Sequence, residues 1–508
     1  MSLRRVLGGL LGSGRRPRRG VAGIVDLHAH IFNMRYLPVV GNLKAVGVPE
    51  SVATAAYRLL KEIADWQSEN QEDLAVFTRV DTVDRIVETG SEDAGRDAIA
   101  TLVPIESFSD PDVRGALDEL SPAALLRVFP GKMRRILDPS QRAESGSFDL
   151  VARDERRAAF MKALDQDVHT AAILARGILD HLDWGTLKWM YLMTHPEERL
   201  MSKLAKTYPQ VKLFVHSMMD MEIHYKDKAE YRVADSPTGT DQVSRTLRLT
   251  EASGGLFIAF VAWDPFRPNA LKIVTNALER GCQGVKFYPP NGFRPIGNLP
   301  SDIDPDISKP PTADEVNQRN LALYRHCVDK HVPIFAHCMP GDMQAKPGYD
   351  RFADPGLWRR VLEYEIGGKR RFANLRLCFA HAGGAEAWAL PGNPAGEDQF
   401  KRSYAGAVYD LCSDPRFPNV YADFGMFTVV LDDYKRAHLR DRLEHLLIGS
   451  DGKPTLFASR IAYGSDWSML YRRQGHEKYL ELFGELFTGK LAPCASGFFA
   501  ANAARFLG

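Results

Sequence analysis

Two histidines one residue apart close a short apolar run near the N-terminus, Val25-Asp26-Leu27-His28-Ala29-His30. In an extended strand alternate side chains share a face, so His28 and His30 would point the same way. Two neutral imidazoles on one face can bind a single metal ion, and imidazole suits zinc, iron, manganese or nickel. The pair alone is weak evidence, because two polar residues on an exposed strand face give the same pattern.

Four more polar residues lie in or directly after later apolar runs: Lys286, His337, His381 and Asp466. Imidazole nitrogens with a carboxylate form a common zinc ligand set that leaves one position open for water. A bound divalent ion lowers the pKa of its water from near 16 to about 7. Asp466 could hold that water, take its proton and return it to a leaving group. His381 could bind a second ion or polarise a substrate carbonyl. Each residue alone also fits a packing role, but together they predict a metal site.

These residues belong to eight predicted strands. Apolar runs cover about 25–30, 211–219, 256–265, 284–290, 332–338, 375–384, 420–424 and 461–467, most of them separated by a helical pattern. Such runs are typical of a parallel sheet that is buried on both faces. The pattern predicts an α/β protein, a distorted (β/α)₈ TIM barrel with its chemistry at the carboxyl ends of the strands. An open doubly wound sheet is the alternative, but it gives no reason for polar residues to end so many separate strands.

The alternation stops after the first strand and is replaced by helical patterns. We predict helices near 49–63, 122–137, 158–182, 187–208, 269–280, 321–330 and 355–367. Residues 33–185 are therefore interpreted as a helical insertion over or beside the active-site face, and 21–32 with 186–508 as the barrel. Residues 1–20 carry six arginines and no acidic residue, and they are predicted to be a disordered basic arm.

Composition excludes several classes of protein. The chain has 508 residues and a formal net charge of +1, so nothing global indicates nucleic acid or an acidic partner. No apolar stretch approaches the roughly 20 residues of a transmembrane segment. The six cysteines all follow residue 280 and form no C-x-x-C pair, which favours a reducing cytoplasm. We expect a small-molecule substrate, and a homo-oligomer stays open.

Several motifs resemble those of a known family. They are Val25-Asp-Leu-His28-Ala-His30, Ala336-His337, Phe379-Ala-His381-Ala-Gly-Gly384, Tyr463-Gly-Ser-Asp466-Trp467 and the ending Phe499-Ala-Ala-Asn502-Ala-Ala-Arg505-Phe506-Leu507. In this order they resemble the amidohydrolase superfamily, and most closely its amidohydrolase 2 branch, which also contains metal-dependent decarboxylases. The resemblance covers about Val21 to Ile31 and Leu187 to Gly508, and the long insertion departs from it.

The resemblance implies roles for individual residues. His28 and His30 would be ligands of the first metal, His337 a ligand, His381 a ligand or a catalytic histidine, and Asp466 both ligand and base. Lys286 resembles a strand-four lysine that some members carboxylate to bridge two ions, so the cofactor would be one or two divalent ions, with Zn²⁺ favoured.

Residues beside these positions receive predictions of their own. Arg294 follows the fourth strand and could pair with a substrate carboxylate, with a surface salt bridge as the equal alternative. Asp264 and Asp423 are interpreted as groups that fix loops or ligands. His216 ends the second strand and could enter the pocket, with packing as the favoured interpretation, and Cys338 should point away from the site.

The leading prediction is a metal-dependent hydrolase that cleaves a C–N or C–O bond next to a carbonyl, with hydroxide as the nucleophile and Asp466 as general base and acid. A non-oxidative metal-dependent decarboxylase on the same barrel is one alternative. An inactive scaffold that binds a partner through the helical insertion is another.

Overall fold

The structure, a computed structural model, describes residues 23–104, 107–108, 110–113, 168–233, 240–341 and 343–508. The chain divides into two compact units. One is Val46–Pro196, and the other is Ser2–Ala45 together with Glu197–Gly508. They are called the helical unit and the barrel unit below. The basic segment 1–20 and the helix expected near 122–137 lie outside the described residues.

The barrel unit contains a parallel sheet of eight strands. They are β1 (Ile24–Ala29), β2 (Val211–Ser217), β3 (Phe257–Trp263), β4 (Gly284–Phe287), β5 (Ile334–His337), β6 (Leu377–Ala380), β7 (Val420–Asp423) and β8 (Ile461–Ala462). Neighbouring strands follow chain order. The ring is nearly closed, because Leu27 of β1 donates its backbone N–H to the carbonyl of Tyr463, directly after β8 (3.0 Å). The predicted distorted (β/α)₈ barrel is confirmed.

The strands form because their apolar side chains can be buried on both faces of the sheet, as is usual for parallel strands. Every residue of β3 through β8 is buried. One core cluster joins side chains of seven strands to Ala503 and Phe506 of the last helix. That helix is tied to the end of the ring, since Asn502 Nδ2 donates to the carbonyls of Ala458 and Ile461.

Helices connect the strands of the barrel unit. They are Val39–Ala45, Glu197–Thr207, Glu222–Tyr225, Gln242–Ala252, Ala270–Glu279, Ala313–Lys330, Pro355–Leu362, Ala385–Trp388, Pro394–Lys401, Tyr404–Ser413, Asp433–Leu447, Trp467–Leu470, Tyr479–Leu486 and Asn502–Leu507. A two-stranded hairpin, Glu365–Ile366 with Lys369–Arg370, lies apart from the main sheet. The predicted helices near 269–280, 321–330 and 355–367 are therefore present, and the last stops at Leu362 before the hairpin.

The helical unit contains the helices Glu50–Glu69, Leu74–Thr89, Glu92–Ala100, Val168–Leu179 and Trp184–Leu192 in its described residues. Their starts follow ordinary capping chemistry, because Asp73, Ser91 and Asp183 each accept a hydrogen bond from a backbone N–H of the first turn. Arg96 is buried and donates to the carbonyls of Leu179 and Leu182, which joins two of these helices.

One helix prediction is wrong in its extent. The pattern from 187 to 208 suggested a single helix, but the chain forms Trp184–Leu192 and Glu197–Thr207 with a break between them. Pro196 explains the break, because its ring disfavours the helical conformation of the preceding His195 and it has no N–H to donate. None of the helices in the described ranges is long and apolar enough to span a membrane.

Candidate metal centre

The sheet register brings the predicted residues to one end of the ring. Ala29 of β1 pairs with His216 of β2, and His337 of β5 pairs with Ala380 of β6, one residue before His381. In a parallel sheet all strands run the same way, so side chains at their carboxyl ends collect at one rim.

His28 and His30 lie side by side at the end of β1, with ring centroids 5.3 Å apart. The Nδ1 of His30 is 2.8 Å from the carbonyl oxygen of Ser217. A carbonyl can only accept, so Nδ1 carries the proton and Nε2 keeps its lone pair. That nitrogen lies 3.7 Å from Asp466 Oδ1. The local contacts therefore hold His30 in the form that can bind a metal through Nε2.

His381 is held in the same way. Its Nδ1 donates to the carbonyl of Gly425 at 3.0 Å, which leaves Nε2 as the unprotonated nitrogen. The ring centroid of His381 lies 4.6 Å from that of His28 and 4.8 Å from that of His337. Three imidazoles from β1, β5 and the end of β6 thus meet at one place.

Asp466 completes this group from the segment after β8. Its backbone N–H donates to the carbonyl of His28 at 2.6 Å, which fixes the segment to β1. One ligand atom each from His28, His381 and Asp466 lies within 4.8 Å of the others, and all three residues are buried. We call these three residues the central triad.

Three of the seven non-glycine residues with a positive φ among the described residues lie in or beside the triad. Asp466, His381 and Ala382 have φ angles of 51°, 62° and 43°. This left-handed region costs a non-glycine residue on the order of 1 kcal/mol or more. Two of the three strained residues carry side chains of the triad, so the fold accepts this cost where the side chains must be aimed at one point.

A buried nitrogen in the triad has no protein partner. His28 is fully buried, and its Nε2 makes no hydrogen bond within the described part of the chain. Leaving a buried polar atom unsatisfied costs about 1–3 kcal/mol. Neutral imidazole nitrogens and a carboxylate oxygen are the donors that zinc prefers. The residues present therefore fit a divalent metal ion.

His337 and Lys286 lie beside the triad. The ring of His337 packs on the ring of Tyr288 at 4.6 Å. Lys286 is buried in β4, and its Nζ lies 4.6 Å from the centre of the Phe335 ring. The structure thus places both predicted residues near the histidines.

Burial keeps the histidines neutral. It lowers the pKa of His28, His30 and His337 well below the usual value, and the charge of Lys286 lowers each further. The pKa of His381 falls to about 4, again mainly through burial. Neutral imidazole is the form that binds a metal, so these four histidines are in their metal-binding form at neutral pH.

Two buried aspartates contact His28, one at its backbone and one at its ring. Asp26 Oδ1 accepts the backbone N–H groups of His28 (3.0 Å) and Ser465 (2.8 Å), and so bridges β1 and the segment after β8. Burial raises its pKa to about 7. Asp423 ends β7, and its Oδ2 lies 3.4 Å from His28 Nδ1. Burial raises the pKa of Asp423 to about 6, although the nearby His381 opposes the shift.

Sequence reasoning assigned no role to Asp26. Its signal was its position two residues before His28 on the same strand, where a side chain must share the face of both histidines. Asp423 was noticed as a strand end, but its contact with His28 depends on closure of the ring.

The remaining predicted residues have other contacts. Arg294 makes two hydrogen bonds to Asp302, at 2.7 and 3.0 Å. This corresponds to the salt-bridge alternative, and a substrate contact by Arg294 stays a prediction. Asp264 binds His224 Nε2 at 3.1 Å. His216 accepts the N–H of Ile31 through Nδ1, and Cys338 is fully buried.

Known proteins resemble this chain at low sequence identity. An amidohydrolase from Burkholderia multivorans with bound zinc shares 12% identity and a TM-score of 0.38, over 63% of this chain and 91% of its own. A probable 2-pyrone-4,6-dicarboxylic acid hydrolase from Acinetobacter baumannii, with citric acid bound, shares 9% identity and a TM-score of 0.35, over 61% of this chain and 88% of its own. No curated protein matches the sequence.

The family comparison is more extensive. Residues 165–508 match the family described as amidohydrolase. That range holds seven of the eight strands, together with His337, His381 and Asp466. The chain belongs to the amidohydrolase family.

Proposed function

We propose that the protein is a metal-dependent hydrolase that cleaves a C–N or C–O bond next to a carbonyl in a small molecule. The observation that carries the proposal is the central triad, with three buried ligand atoms within 4.8 Å of one another. The unsatisfied Nε2 of His28 supports it, because a bound cation would give that nitrogen its missing partner.

His28, His30, His381 and Asp466 would hold a divalent ion, for which zinc suits the nitrogen and carboxylate donors. When bound, such an ion makes a water molecule acidic enough to supply hydroxide near neutral pH. His337 and Lys286 are the further ligands if the centre holds two ions. A carboxylated Lys286 would need its amine uncharged, and burial of an amine favours that form.

Asp466 is the proposed proton carrier. A buried carboxylate next to a reacting water can accept its proton and then return it to the leaving amine or alcohol. The hydrogen bond from its own backbone N–H to His28 keeps the residue beside the histidines. The backbone of Asp466 is therefore held beside His28 before a substrate arrives.

The hydrogen bonding of His381 favours one of its two predicted roles. Its Nδ1 carries the ring proton and donates a hydrogen bond to the carbonyl of Gly425. Nε2 can therefore bind a metal but cannot donate to a carbonyl oxygen. A donor role would need a second proton, and the low pKa of His381 opposes that. We therefore assign His381 as a ligand.

The test combines metal analysis with turnover. Protein purified without chelator should contain one or two equivalents of a divalent metal by elemental analysis, and the metal-loaded enzyme should hydrolyse members of an ester, lactone and amide panel. Asp466→Asn should lose turnover and remain folded by circular dichroism. A panel of carboxylated substrates, followed by CO₂ release, separates hydrolysis from decarboxylation.

Three results would count against the proposal. Wild-type rates in metal-loaded Asp466→Asn would exclude the proposed base. Release of CO₂ without hydrolysis would favour the decarboxylase. Metal-loaded protein without turnover on either panel would favour the inactive scaffold.

A further inference from the structure

We propose that Asp423 is a positioning residue that orients His28 for metal binding, and that Gly425 and Gly464 leave the space this pair needs. The inference rests on the proposed metal centre. It goes further by assigning a role to the end of β7, a strand that supplies no proposed ligand.

The contacts of Asp423 join two members of the triad. Its Oδ2 lies 3.4 Å from Nδ1 of His28. Its Oδ1 accepts the backbone N–H groups of Gly425 and His381. Both Asp423 and His28 are fully buried. A single carboxylate therefore contacts the side chain of one proposed ligand and the backbone of another.

The chemistry of this contact decides the state of His28. A carboxylate offers only acceptor atoms, so Nδ1 of His28 must carry the proton that faces it, and Nε2 then keeps its lone pair. Among the described residues neither Asp423 Oδ2 nor His28 Nδ1 has a hydrogen-bond partner, and the 3.4 Å between them is an ion-pair distance. A carboxylate behind a metal-binding imidazole fixes the ring and makes it a stronger base.

His30 and His381 differ from His28 in this respect. Their Nδ1 atoms face the backbone carbonyls of Ser217 and Gly425. Of these three rings, His28 is the one whose Nδ1 faces a carboxylate, so the removal of Asp423 should affect His28 more than His30 or His381.

Two glycines pack against the pair. A Cβ atom added to Gly425 would lie 2.5 Å from His28 Nδ1 and 2.7 Å from Asp423 Oδ1. A Cβ atom at Gly464 would lie 2.9 Å from Asp423 Oδ1 and 2.9 Å from His28 Cβ. Neither glycine is among those with a positive φ, so the close approach explains the missing side chain and the backbone conformation does not.

The barrel unit also offers a matched control. Asp264 follows β3, is buried, and contacts His224 Nε2 at 3.1 Å. This pair has the same chemistry as Asp423 and His28, but neither of its members belongs to the proposed ligand set. Asp264→Asn therefore reports what the loss of a buried aspartate–histidine contact does by itself.

The experiment measures the affinity of the full-length apoprotein for Zn²⁺ in competition with a chromophoric chelator. We expect Asp423→Ala to weaken zinc binding about ten- to hundredfold. Asp423→Asn keeps an acceptor without the charge and should give a smaller loss. Asp264→Asn should keep the wild-type affinity. The absorption spectrum of the Co²⁺-loaded proteins should change for Asp423→Ala and stay the same for Asp264→Asn.

A purely structural role would lower the urea midpoint of Asp423→Ala and leave the zinc affinity of the folded protein unchanged, and that result would overturn the inference. If Asp423→Ala does not fold, Gly425→Ala decides the question, because its methyl group must displace His28 or Asp423. Unchanged zinc affinity in folded Gly425→Ala would also overturn the inference.

Failure of the inference can be told apart from failure of the proposed function. Wild-type protein that binds no zinc would contradict the metal centre itself. Zinc binding that is weakened by Asp466→Asn but not by the changes at Asp423 or Gly425 would contradict only the role of Asp423.

Discussion

Buried histidines occur in both units, but their ring nitrogens are used differently. In the helical unit, His195 places Nε2 2.8 Å from Asp84 Oδ1 and Nδ1 3.2 Å from the carbonyl of Tyr191. Tyr191 also donates its hydroxyl to Asp84 Oδ1 at 3.0 Å. In the barrel unit, His28 is equally buried, yet its Nε2 has no partner among the described residues.

The difference separates a structural histidine from a candidate ligand. Both ring nitrogens of His195 lie within hydrogen-bond distance of protein acceptors, so neither nitrogen is open to a metal ion. In His28, Nδ1 is in contact with Asp423 at 3.4 Å and Nε2 has no hydrogen-bond partner among the described residues, so Nε2 is available to a metal ion. The pairs Asp84–His195 and Asp423–His28 therefore consist of the same residue types. Only the second pair leaves a ring nitrogen available to a metal ion.

The largest effect expected from this comparison is on turnover. Asp466→Asn should lower kcat by about 10²–10⁴-fold, because a positioned general base contributes that much. Asp84→Asn should leave kcat unchanged. The measurement is steady-state kinetics of both metal-loaded variants. Equal losses of kcat in Asp466→Asn and Asp84→Asn would contradict the division into a catalytic site in the barrel unit and a structural histidine in the helical unit.

Removal of the carboxylate from the helical unit should affect stability instead. Asp84→Ala leaves the Tyr191 hydroxyl and His195 without their acceptor, and this should lower the free energy of unfolding by about 3 kcal/mol. Urea denaturation measures the loss. The zinc content of the folded variant should equal that of the wild type, and a lower zinc content would contradict the assignment of His195 as structural.

Zinc should stabilise the barrel unit selectively. At a free zinc concentration 100 times the Kd, binding adds about 2.7 kcal/mol to the stability of the folded state. Hydrogen exchange should slow in peptides from β1 and stay unchanged in peptides from Trp184–Leu192. His28→Ala should abolish the zinc effect, and a zinc effect retained in that variant would exclude His28 as a ligand.

A smaller effect, on the free energy of unfolding, should follow from the loss of the hydrogen-bonded carboxylate of Glu197 in the barrel unit. Glu197 accepts hydrogen bonds from the Tyr36 hydroxyl (2.5 Å) and from Arg245 Nε (2.6 Å). Burial alone would raise the pKa of Glu197, but the hydrogen bond and charge of Arg245 outweigh it, so the pKa is lowered. The stabilising charge is thus fully present above the unfolded-state pKa of about 4.3 and is lost as the pH falls through the lower folded-state pKa.

Glu197→Gln should therefore cost about 1.5 kcal/mol at pH 7, and the difference from the wild type should shrink as the pH falls below about 4.3. Urea denaturation at several pH values tests this. A difference that grows in acid would show that the lowered pKa is assigned with the wrong sign.

The sequence was sufficient to predict the barrel because most of its strands lie in largely apolar runs, and several of these runs end in a histidine or an aspartate. His28, His381 and Asp466 could be placed at one rim without a structure, since parallel strands share one direction. The predicted helix at 187–208 failed at Pro196, where a local backbone restriction interrupts a helical pattern that otherwise continues.

The supporting contacts were harder to predict. Asp26 and Ser465 are separated by 439 positions in the chain, and Asp423 reaches His28 only because the ring closes. Residue type and spacing led to the same prediction for Asp423 and Asp264, because each ends a strand. Asp264 contacts His224, which is not a proposed ligand. The protonation of each ring depends on which carbonyl or carboxylate lies behind Nδ1, and a one-dimensional pattern does not contain that information.

The closure of the ring has a consequence for the order of folding during synthesis. β1 leaves the ribosome before both of its lateral partners, which begin at Val211 and Ile461. Contacts of such high sequence separation form late, because a long loop must be closed first. His28 and His30 are therefore synthesised long before Asp466, the residue that supplies their carboxylate neighbour after β8. A nascent chain stopped before that segment would contain most of the imidazoles and would lack the residue that completes their arrangement.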